Sequence, residues 1–435
     1  MEWSRYNILF ETKNNEWLLY NSASNSFLKM DKEAAKKIKK VKENPNIDFT
    51  ENPDIYFKLR VGGFLVEDGQ DDAFLRILKM KRLTANYASR RMLLTIAPTI
   101  ACNFACKYCF ENNKMPVSMS DETEKKIIEF IAKFNTVEEI SLTWFGGEPL
   151  LEFERIKSLS KKIKALGKKY TATIITNGYC LSKEIADSLE SLGINKVQIT
   201  IDGLKETHDK RRFLVGGGET YEKILENIDT LMSSSWSGCL HVRVNVDRNN
   251  VEQYVAVHNL FSGKFSVKTN KQLYVYPGFT SGGDNPGIGC CFNSDDKGKF
   301  MIELSEVHGI HSIPVFPSIE IGGCTLTCKN AYVIAPDGEI CKCWRDVGDE
   351  KEIIGNVDCL TDWNLSLLAE GMIGASYLED DDCEVCLFFP VCNGGCPKIR
   401  QYRIRDGLER NLCSYFKKHY EKLLEIHYER KSVDK

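Results

Sequence analysis

Thr99-Ile100-Ala101-Cys102-Asn103-Phe104-Ala105-Cys106-Lys107-Tyr108-Cys109-Phe110 decides how this chain is read. Three cysteines stand in the pattern C-x3-C-x2-C, with an aromatic residue, Tyr108, just before the last. Three thiolates in one short loop can hold three irons of a [4Fe–4S] cluster, and with no fourth cysteine nearby one iron is left open. An open iron is a Lewis-acid and electron-delivery site as well as an electron store. Zinc is the competing reading. Structural zinc takes four ligands, usually with C-x2-C pairs, and this spacing has no partner pair.

Working outward, strands and helices alternate from residue 91 to about 265. Strands are expected at Met92–Ala97, Ile140–Phe145, Tyr170–Ile175, Lys196–Ile201 and Leu240–Val246. Helices are expected at Asp121–Phe134, Glu152–Gly167, Ser182–Leu192 and Tyr221–Ser233, with Asp121 and Glu122 in a first turn and Gly193 closing another. Repeated βα units mean an α/β fold with a parallel sheet, as a partial or a full barrel. Functional residues of such folds gather where strands end. Here the strand ends read Cys102 to Cys109, Gly146-Gly147-Glu148-Pro149, Thr176-Asn177-Gly178, Asp202-Gly203 and Asn245-Val246-Asp247. Glycine often merely terminates a strand, but five polar or glycine-rich ends in a row point to one ligand site.

The chain has 435 residues, too many for one ordinary domain, and 43% hydrophobic content supplies ample core. A net charge of −3 gives no reason to expect nucleic acid or an anionic membrane as partner. The apolar runs are too short to span a bilayer, and the N-terminal residues open no signal-peptide pattern. Seventeen cysteines without an export signal read as metal or redox ligands in a reducing compartment, so a cytoplasmic location is expected.

Four regions are expected. In residues 1–90, Tyr6–Phe10, Glu16–Tyr20 and Ser26–Met30 read as strands, Asp31–Glu43 and Asp71–Tyr87 as helices, and Ile55–Val66 as a strand-like return broken at Gly62-Gly63. Residues 91–265 form the βα core. Residues 266–320, with Gly282-Gly283, Pro277, Pro286, Pro314 and Pro317, read as an irregular bridge. Residues 321–435 form a cysteine-rich region ending in a charged helix from Cys413 to Lys435. Ten of the seventeen cysteines fall between residues 320 and 420. Cys383-x2-Cys386-x5-Cys392-x3-Cys396 is a specific spacing, although zinc knuckles could also use it. Cys180, Cys239, Cys290, Cys291 and Cys359 carry no spacing signal and read as small buried hydrophobes.

The Cys102–Cys109 triad and the strand ends resemble the radical S-adenosylmethionine (SAM) superfamily, and the second cysteine field resembles its SPASM extension. The resemblance covers about residues 91–420. It implies a partial (β/α)6 barrel in which the open iron chelates the amino and carboxylate groups of SAM. Reductive cleavage of SAM then yields a 5′-deoxyadenosyl radical. It further implies that Gly146, Gly147, Glu148 and Pro149 meet the methionine amino group, with Tyr108 beside the cluster. Thr176, Asn177, Thr200 and Asp202 would wall the pocket. His208-Asp209-x-Arg211 resembles a family neighbourhood in which Arg211 or Arg212 pairs with the methionine carboxylate, as a guanidinium does in bidentate fashion. Asn245 and Asp247 stand where the family contacts ribose.

Carried over by position, Cys383, Cys386, Cys392 and Cys413 would hold one auxiliary [4Fe–4S] cluster. Cys328, Cys343 and Cys396, with Cys324 as fourth ligand, would hold another, making three clusters in all. Cys341 is an alternative to Cys343, which the position of Gly338 favours. Residues 1–90 look like the winged-helix-like leader-recognition domain of enzymes that mature ribosomally made peptides. Such domains add the leader as an edge strand, here beside Ser26–Met30 and the Asp31 helix.

The expected activity is that of a peptide maturase that forms an intramolecular crosslink, carbon–carbon between lysine and tryptophan in the streptide type. Auxiliary clusters would accept the surplus electron, and Glu320 is the candidate base. Flavodoxin or ferredoxin is the expected electron donor. Thioether formation is an alternative within the same layout. A second is a sulfatase maturase making formylglycine, which typically has an aspartate where this chain has Trp344. A third, outside enzymes, is an iron–sulfur electron-transfer protein.

Overall fold

The computed structural model describes residues 1–46, 53–109, 115–265, 272–280, 291–359, 361–407 and 412–433. Gly282, Gly283, Pro286 and Cys290 therefore lie outside the described residues. The chain divides into two compact units. One comprises Met1–Tyr87, Asn293–Thr327 and Gly371–Lys435, the other Ala88–Phe292 and Cys328–Glu370.

The first unit opens with β1 (Glu2–Trp3), β2 (Asn7–Glu11), β3 (Trp17–Asn21) and β4 (Ser26–Met30). β2, β3 and β4 form an antiparallel sheet with β3 in the middle. Asn15 and Asn25, at φ 59° and 55°, make the two reversals, a conformation asparagine tolerates better than other side chains. The helix Lys32–Glu43 begins at Asp31, whose carboxylate accepts the amide of Ala34 at 2.7 Å, the expected cap. Its buried face, Ala35, Ile38 and Val41, packs on Leu19, Met30, Leu59 and Leu65.

The strand-like return expected at Ile55–Val66 is mostly helix. Pro53–Val61 is helical and only Leu65–Val66 (β5) is extended, paired with β1. Pro53 suits a first helical position, and Gly63 at φ 70° stops the helix. The aromatic and branched residues that suggested a strand are overridden by tertiary context. The helix Gln70–Asn86 follows. From the later chain, Ser294–Glu306 opens with a capping box at Asn293 and packs on Phe416–Val433.

The second unit is built on one nine-stranded sheet. Its parallel run is β6 (Arg91–Ile96), β7 (Glu139–Trp144), β8 (Lys169–Thr176), β9 (Ile194–Thr200), β10 (Cys239–Val246) and β11 (Leu273–Phe279). On the far side of β6 lie β12 (Ala331–Ile334), parallel to it, then antiparallel β13 (Glu339–Cys341) and β14 (Gly355–Asn356). The sheet is open, with β11 and β14 at its ends, so the partial barrel holds and the full one does not.

β11 lies in the stretch expected to be irregular, which also contains the Ser294–Glu306 helix. Proline suppressed the strand reading, yet Pro277 is tolerated because β11 is an edge strand. The Ser182–Leu192 helix is shorter than expected, at Lys183–Ser188.

Alternation along the strands explains the layering. Ile140, Leu142, Trp144, Ala172, Ile174, Val197, Ile199, Val242 and Val244 are buried, as are Ile127, Phe130, Ile156, Leu159, Ile224 and Ile228 from the intervening helices. The alternate positions, Ser141, Thr143, Thr173, Gln198, His241 and Arg243, are polar and half-buried. Side chains in strands point to opposite faces with a period of two, so one face packs on helices and the other forms a polar interior.

Candidate active site

The cysteine loop leaves β6 and is tied down by the backbone of later segments. The amide of Ala105 donates to the carbonyl of Phe213 at 2.8 Å, and that of Val215 to Asn103 at 2.9 Å. Cys106 is buried, while Cys102 and Cys109 are half-buried. Burial pushes the Cys102 thiol up to about 12 and raises Cys106 as well. Thiols in so dry a loop keep their protons unless a cation replaces them, which suits metal ligands. Among the described residues no group of three Cys, His, Asp or Glu side chains is spaced to hold a single metal ion.

The end of β7 meets this loop closely. A Cβ on Gly146 would stand 2.2 Å from the carbonyl oxygen of Thr99, and one on Gly147 2.3 Å from that of Ile100. Gly146 also has φ 123°, a conformation that favours glycine. The two glycines thus let the end of β7 pass close against the backbone of the cysteine loop. Pro149 begins a short 3-10 turn capped by Glu148.

Glu148 is fully buried. Its carboxylate accepts the Thr176 hydroxyl at 2.6 Å, the Asn177 amide at 2.7 Å and the Leu150 amide at 3.0 Å. Burial raises its carboxyl, against the pull of these three donors. Glu148 thereby clamps the ends of β7 and β8. Asn177 reaches back to Asn103 at 2.7 Å, and Asn103 donates to Cys180 Sγ at 3.7 Å. Thr200 is buried at the end of β9.

A second network joins the ends of β9 and β10. Asp202 Oδ2 accepts Arg211 Nε at 3.0 Å, and Asp247 accepts Arg211 Nη1 at 2.9 Å. Arg212 Nη1 donates to the Tyr108 hydroxyl at 2.8 Å, and Asn245 Nδ2 donates to the same oxygen at 3.0 Å. Arg211 stacks on Tyr108 and Arg212 on Phe104. Burial works against the Arg212 charge, but Tyr108, Cys106 and Asp202 outweigh it and raise its pKa. Burial also pushes the Tyr108 phenol up.

Arg211 and Arg212, which sequence left as alternatives, both join this network. His208 and Asp209 serve it structurally. Asp209 accepts the amides of Thr220 and Tyr221, and His208 Nδ1 accepts the Asp202 amide at 3.2 Å.

Three buried polar atoms here make no hydrogen bond: Asp202 Oδ1, Arg211 Nη2 and Arg212 Nε. Buried polar atoms ordinarily find partners, so a missing one marks a place for a ligand. Two guanidinium donors and a carboxylate oxygen fit the carboxylate and ammonium of an amino-acid head group.

Other cysteines divide between the units. Cys383, Cys386, Cys392 and Cys413 line one cavity of about 640 Å³ in the first unit. Glu320 is exposed, lines the same cavity and accepts a hydrogen bond from Asn393. Cys328 and Cys343 belong to the second unit, Cys324 and Cys396 to the first. Cys341 packs in a small core with Val333, Ala335 and Val347, and its thiol meets the Asp346 carbonyl at 3.6 Å. Cys359, expected to be buried, is exposed, and its thiol lies 3.2 Å from the Thr361 hydroxyl. The turn after β14 keeps it at the surface. Cys180, Cys239 and Cys291 are half-buried.

Sequence reading passed over Asn103 and Asn250. Asn250 donates to the carbonyls of Asp202 and Asn245, both at 2.8 Å, and so joins two strand ends. A place inside the cysteine motif was the available signal for Asn103. Asn250 had none.

Residues 96–261 match the radical SAM superfamily. The chain carries a radical SAM domain and is a radical SAM enzyme. That domain implies one [4Fe–4S] cluster and SAM. The chain is 25% identical over 376 residues to the serine-type anaerobic sulfatase-maturating enzyme of Bacteroides thetaiotaomicron, covering 75% of this chain and 88% of that protein. Its fold is similar to anSMEcpe with bound AdoMet and Cp18Cys peptide, at 23% identity and a TM-score of 0.59, over 78% of this chain and 97% of that one. It is also similar to SuiB from Streptococcus suis bound to SAM, at 16% identity and a TM-score of 0.52, over 91% and 95%. No helix among the described residues is long and apolar enough to cross a membrane.

Proposed function

We propose that this chain is a cytoplasmic peptide maturase that forms an intramolecular crosslink in a ribosomally made precursor. Its first ninety residues would receive the leader. The observation that carries the reading is the extent of the fold likeness. It spans 91% of the chain against SuiB, which is also known bound to its precursor peptide SuiA, and 78% against anSMEcpe. β4 supports a leader site, because it pairs with β3 alone among the described residues and so offers a strand edge.

When bound, the cluster and SAM supply one-electron chemistry able to remove hydrogen from an unactivated carbon. The chain's own residues bind and orient. Cys102, Cys106 and Cys109 hold the cluster. Arg211 and Arg212 take the carboxylate of the methionine part, and Asp202 Oδ1 takes its ammonium. The backbone of Gly146 and Gly147 shapes the same wall, with Glu148 and Pro149 positioning it. Thr176, Asn177 and Thr200 line it, and Asn245 and Asp247 face the ribose. Tyr108 is held between Arg212 and Asn245, which fixes the last turn of the cysteine loop.

Two auxiliary clusters complete the reading. One sits on Cys383, Cys386, Cys392 and Cys413, supported by their shared cavity. The other would use Cys328 and Cys343 of the second unit, with Cys341 committed to a core. Glu320 would accept a proton from the substrate, and a flavodoxin or ferredoxin would deliver electrons. A lysine–tryptophan carbon–carbon bond is the product class, with a thioether as its alternative within the same layout.

Formylglycine formation is the second reading, favoured by the 25% identity to the Bacteroides enzyme. Trp344 counts against it, since it stacks on Phe145 at 5.5 Å where that family typically has an aspartate. The test is anaerobic incubation of the reconstituted enzyme with dithionite, SAM and the short peptide encoded beside its gene, read by mass spectrometry. Loss of two hydrogen atoms with a fragmentation gap between two residues is expected. Conversion of a serine or cysteine to formylglycine would replace this reading with the second.

A further inference from the structure

The cavity in the first unit is more than four cysteines. Arg400 is buried, and its Nη2 reaches Cys383 Sγ at 3.7 Å and the Gly394 carbonyl at 3.0 Å. Its Nη1 pairs with Asp380, whose Oδ1 accepts the amide of Cys383 at 3.0 Å. From the C-terminal helix, Lys417 Nζ lies 4.0 Å from Cys413 Sγ, and its charge also interacts with Cys386 and Cys383. The Gly394 amide donates to Cys392 Sγ at 3.3 Å. The carboxylates facing the cavity are Glu320, Asp380 and Asp382. Of these, Asp380 is paired with Arg400 and Glu320 is bonded to Asn393.

Each of the four sulfurs thus has a donor from a cation or a backbone amide. Such donors do little for packing around a neutral thiol, which is a weak acceptor. They matter greatly if the sulfurs carry negative charge. The reduction potential of an iron–sulfur group follows net charge, hydrogen bonds to sulfur and exposure. Its reduced form carries one more negative charge than its oxidised form, and nearby cations stabilise that form selectively.

We propose that Arg400 and Lys417 set the reduction potential of the iron–sulfur group on Cys383, Cys386, Cys392 and Cys413, raising it so that the group accepts an electron readily. This rests on the auxiliary-cluster reading given above. Arg400 and Lys417 are positioning residues, acting through the sulfurs of Cys383 and Cys413. Arg82 steadies the same segment from the helix Gln70–Asn86. It donates to the carbonyls of Phe389 at 3.0 Å and Pro390 at 2.8 Å, just before Cys392.

The test is a dithionite titration of the reconstituted full-length enzyme followed by electron paramagnetic resonance. A Cys383→Ala/Cys392→Ala variant identifies the signal of this group by its loss together with iron. In Lys417→Gln and Arg400→Gln the midpoint of that signal should move to more negative potential, with iron content unchanged. Arg400→Lys should recover part of the shift, which a purely structural role would not produce. Lys417 is exposed, so its variant folds even where Arg400→Gln does not. Unchanged midpoints at full iron content would overturn the inference and leave the cluster reading intact. If Cys383→Ala/Cys392→Ala lost no iron, the cluster reading would fall and this inference with it.

Discussion

Buried Asp202 and half-buried Arg211 form an ion pair, 3.0 Å from Oδ2 to Nε, in which neither partner is fully used. Asp202 keeps Oδ1 and Arg211 keeps Nη2 without hydrogen bonds. Arg211 also bridges to Asp247, so one guanidinium serves the ends of two strands. Arg211→Ala should destabilise the fold by about 3–5 kcal/mol, because it strands two buried carboxylates. Urea denaturation of the purified protein measures this.

Arg212 carries a different expectation. Arg212→Lys keeps the charge but removes the planar fork. SAM affinity should fall about ten- to a hundredfold, the equivalent of losing one charged hydrogen bond. Isothermal calorimetry on the reconstituted enzyme reads it, and an unchanged affinity would remove Arg212 from the binding site.

Glu148 accepts three hydrogen bonds and donates none. Glu148→Gln brings an amide NH2 against a donor, so stability should drop by about 1–3 kcal/mol despite the nearly equal volume. Glu148→Asp, too short to reach both Thr176 and Asn177, should cost a similar amount. Thermal denaturation compares the two with the parent.

His208 makes stability depend on pH. Burial, with the charge of Arg212 next, pushes its pKa down to about 3 from an ordinary 6.5. The folded state therefore binds fewer protons than the unfolded one. The contribution is complete above about pH 6.5 and is lost as pH falls toward 3, at up to about 1.4 kcal/mol per pH unit. His208→Gln should flatten the slope between pH 6.5 and 5. An unaltered slope would mean that His208 is charged in the fold.

Gly146 and Gly147 have no room for a side chain. Gly147→Ala would drive a Cβ onto the carbonyls of Ile100 and Ala101, at 2.3 and 2.4 Å. Backbone must move, and the cysteine loop is what moves. The expected result is loss of iron from the Cys102–Cys109 loop together with about 1–3 kcal/mol of stability. Iron analysis after reconstitution separates the two effects.

The alternation of strand and helix was legible because its causes are local. Period-two runs such as Glu139–Trp144 and a cap such as Asp31 are read within a few residues. The strand ends could be named for the same reason. Failures came where context reverses a local preference. Pro277 sits in an edge strand, which its own segment does not mark, and Ile55–Val61 sits in a helix although its aromatic and branched residues favour a strand.

By itself, then, the sequence determined the cysteine spacings, the βα order and the set of residues at the strand ends. Each is a property of neighbouring residues. Tertiary structure alone decided what those residues do to one another. It set Leu93 beside Ala331, extending the sheet through β12. It committed Glu148 to Thr176 and Asn177, some thirty residues on, and it brought both Arg211 and Arg212 to the site. Such pairings depend on which distant segments the chain buries together, and hydrophobic burial is non-directional, so local pattern cannot specify them.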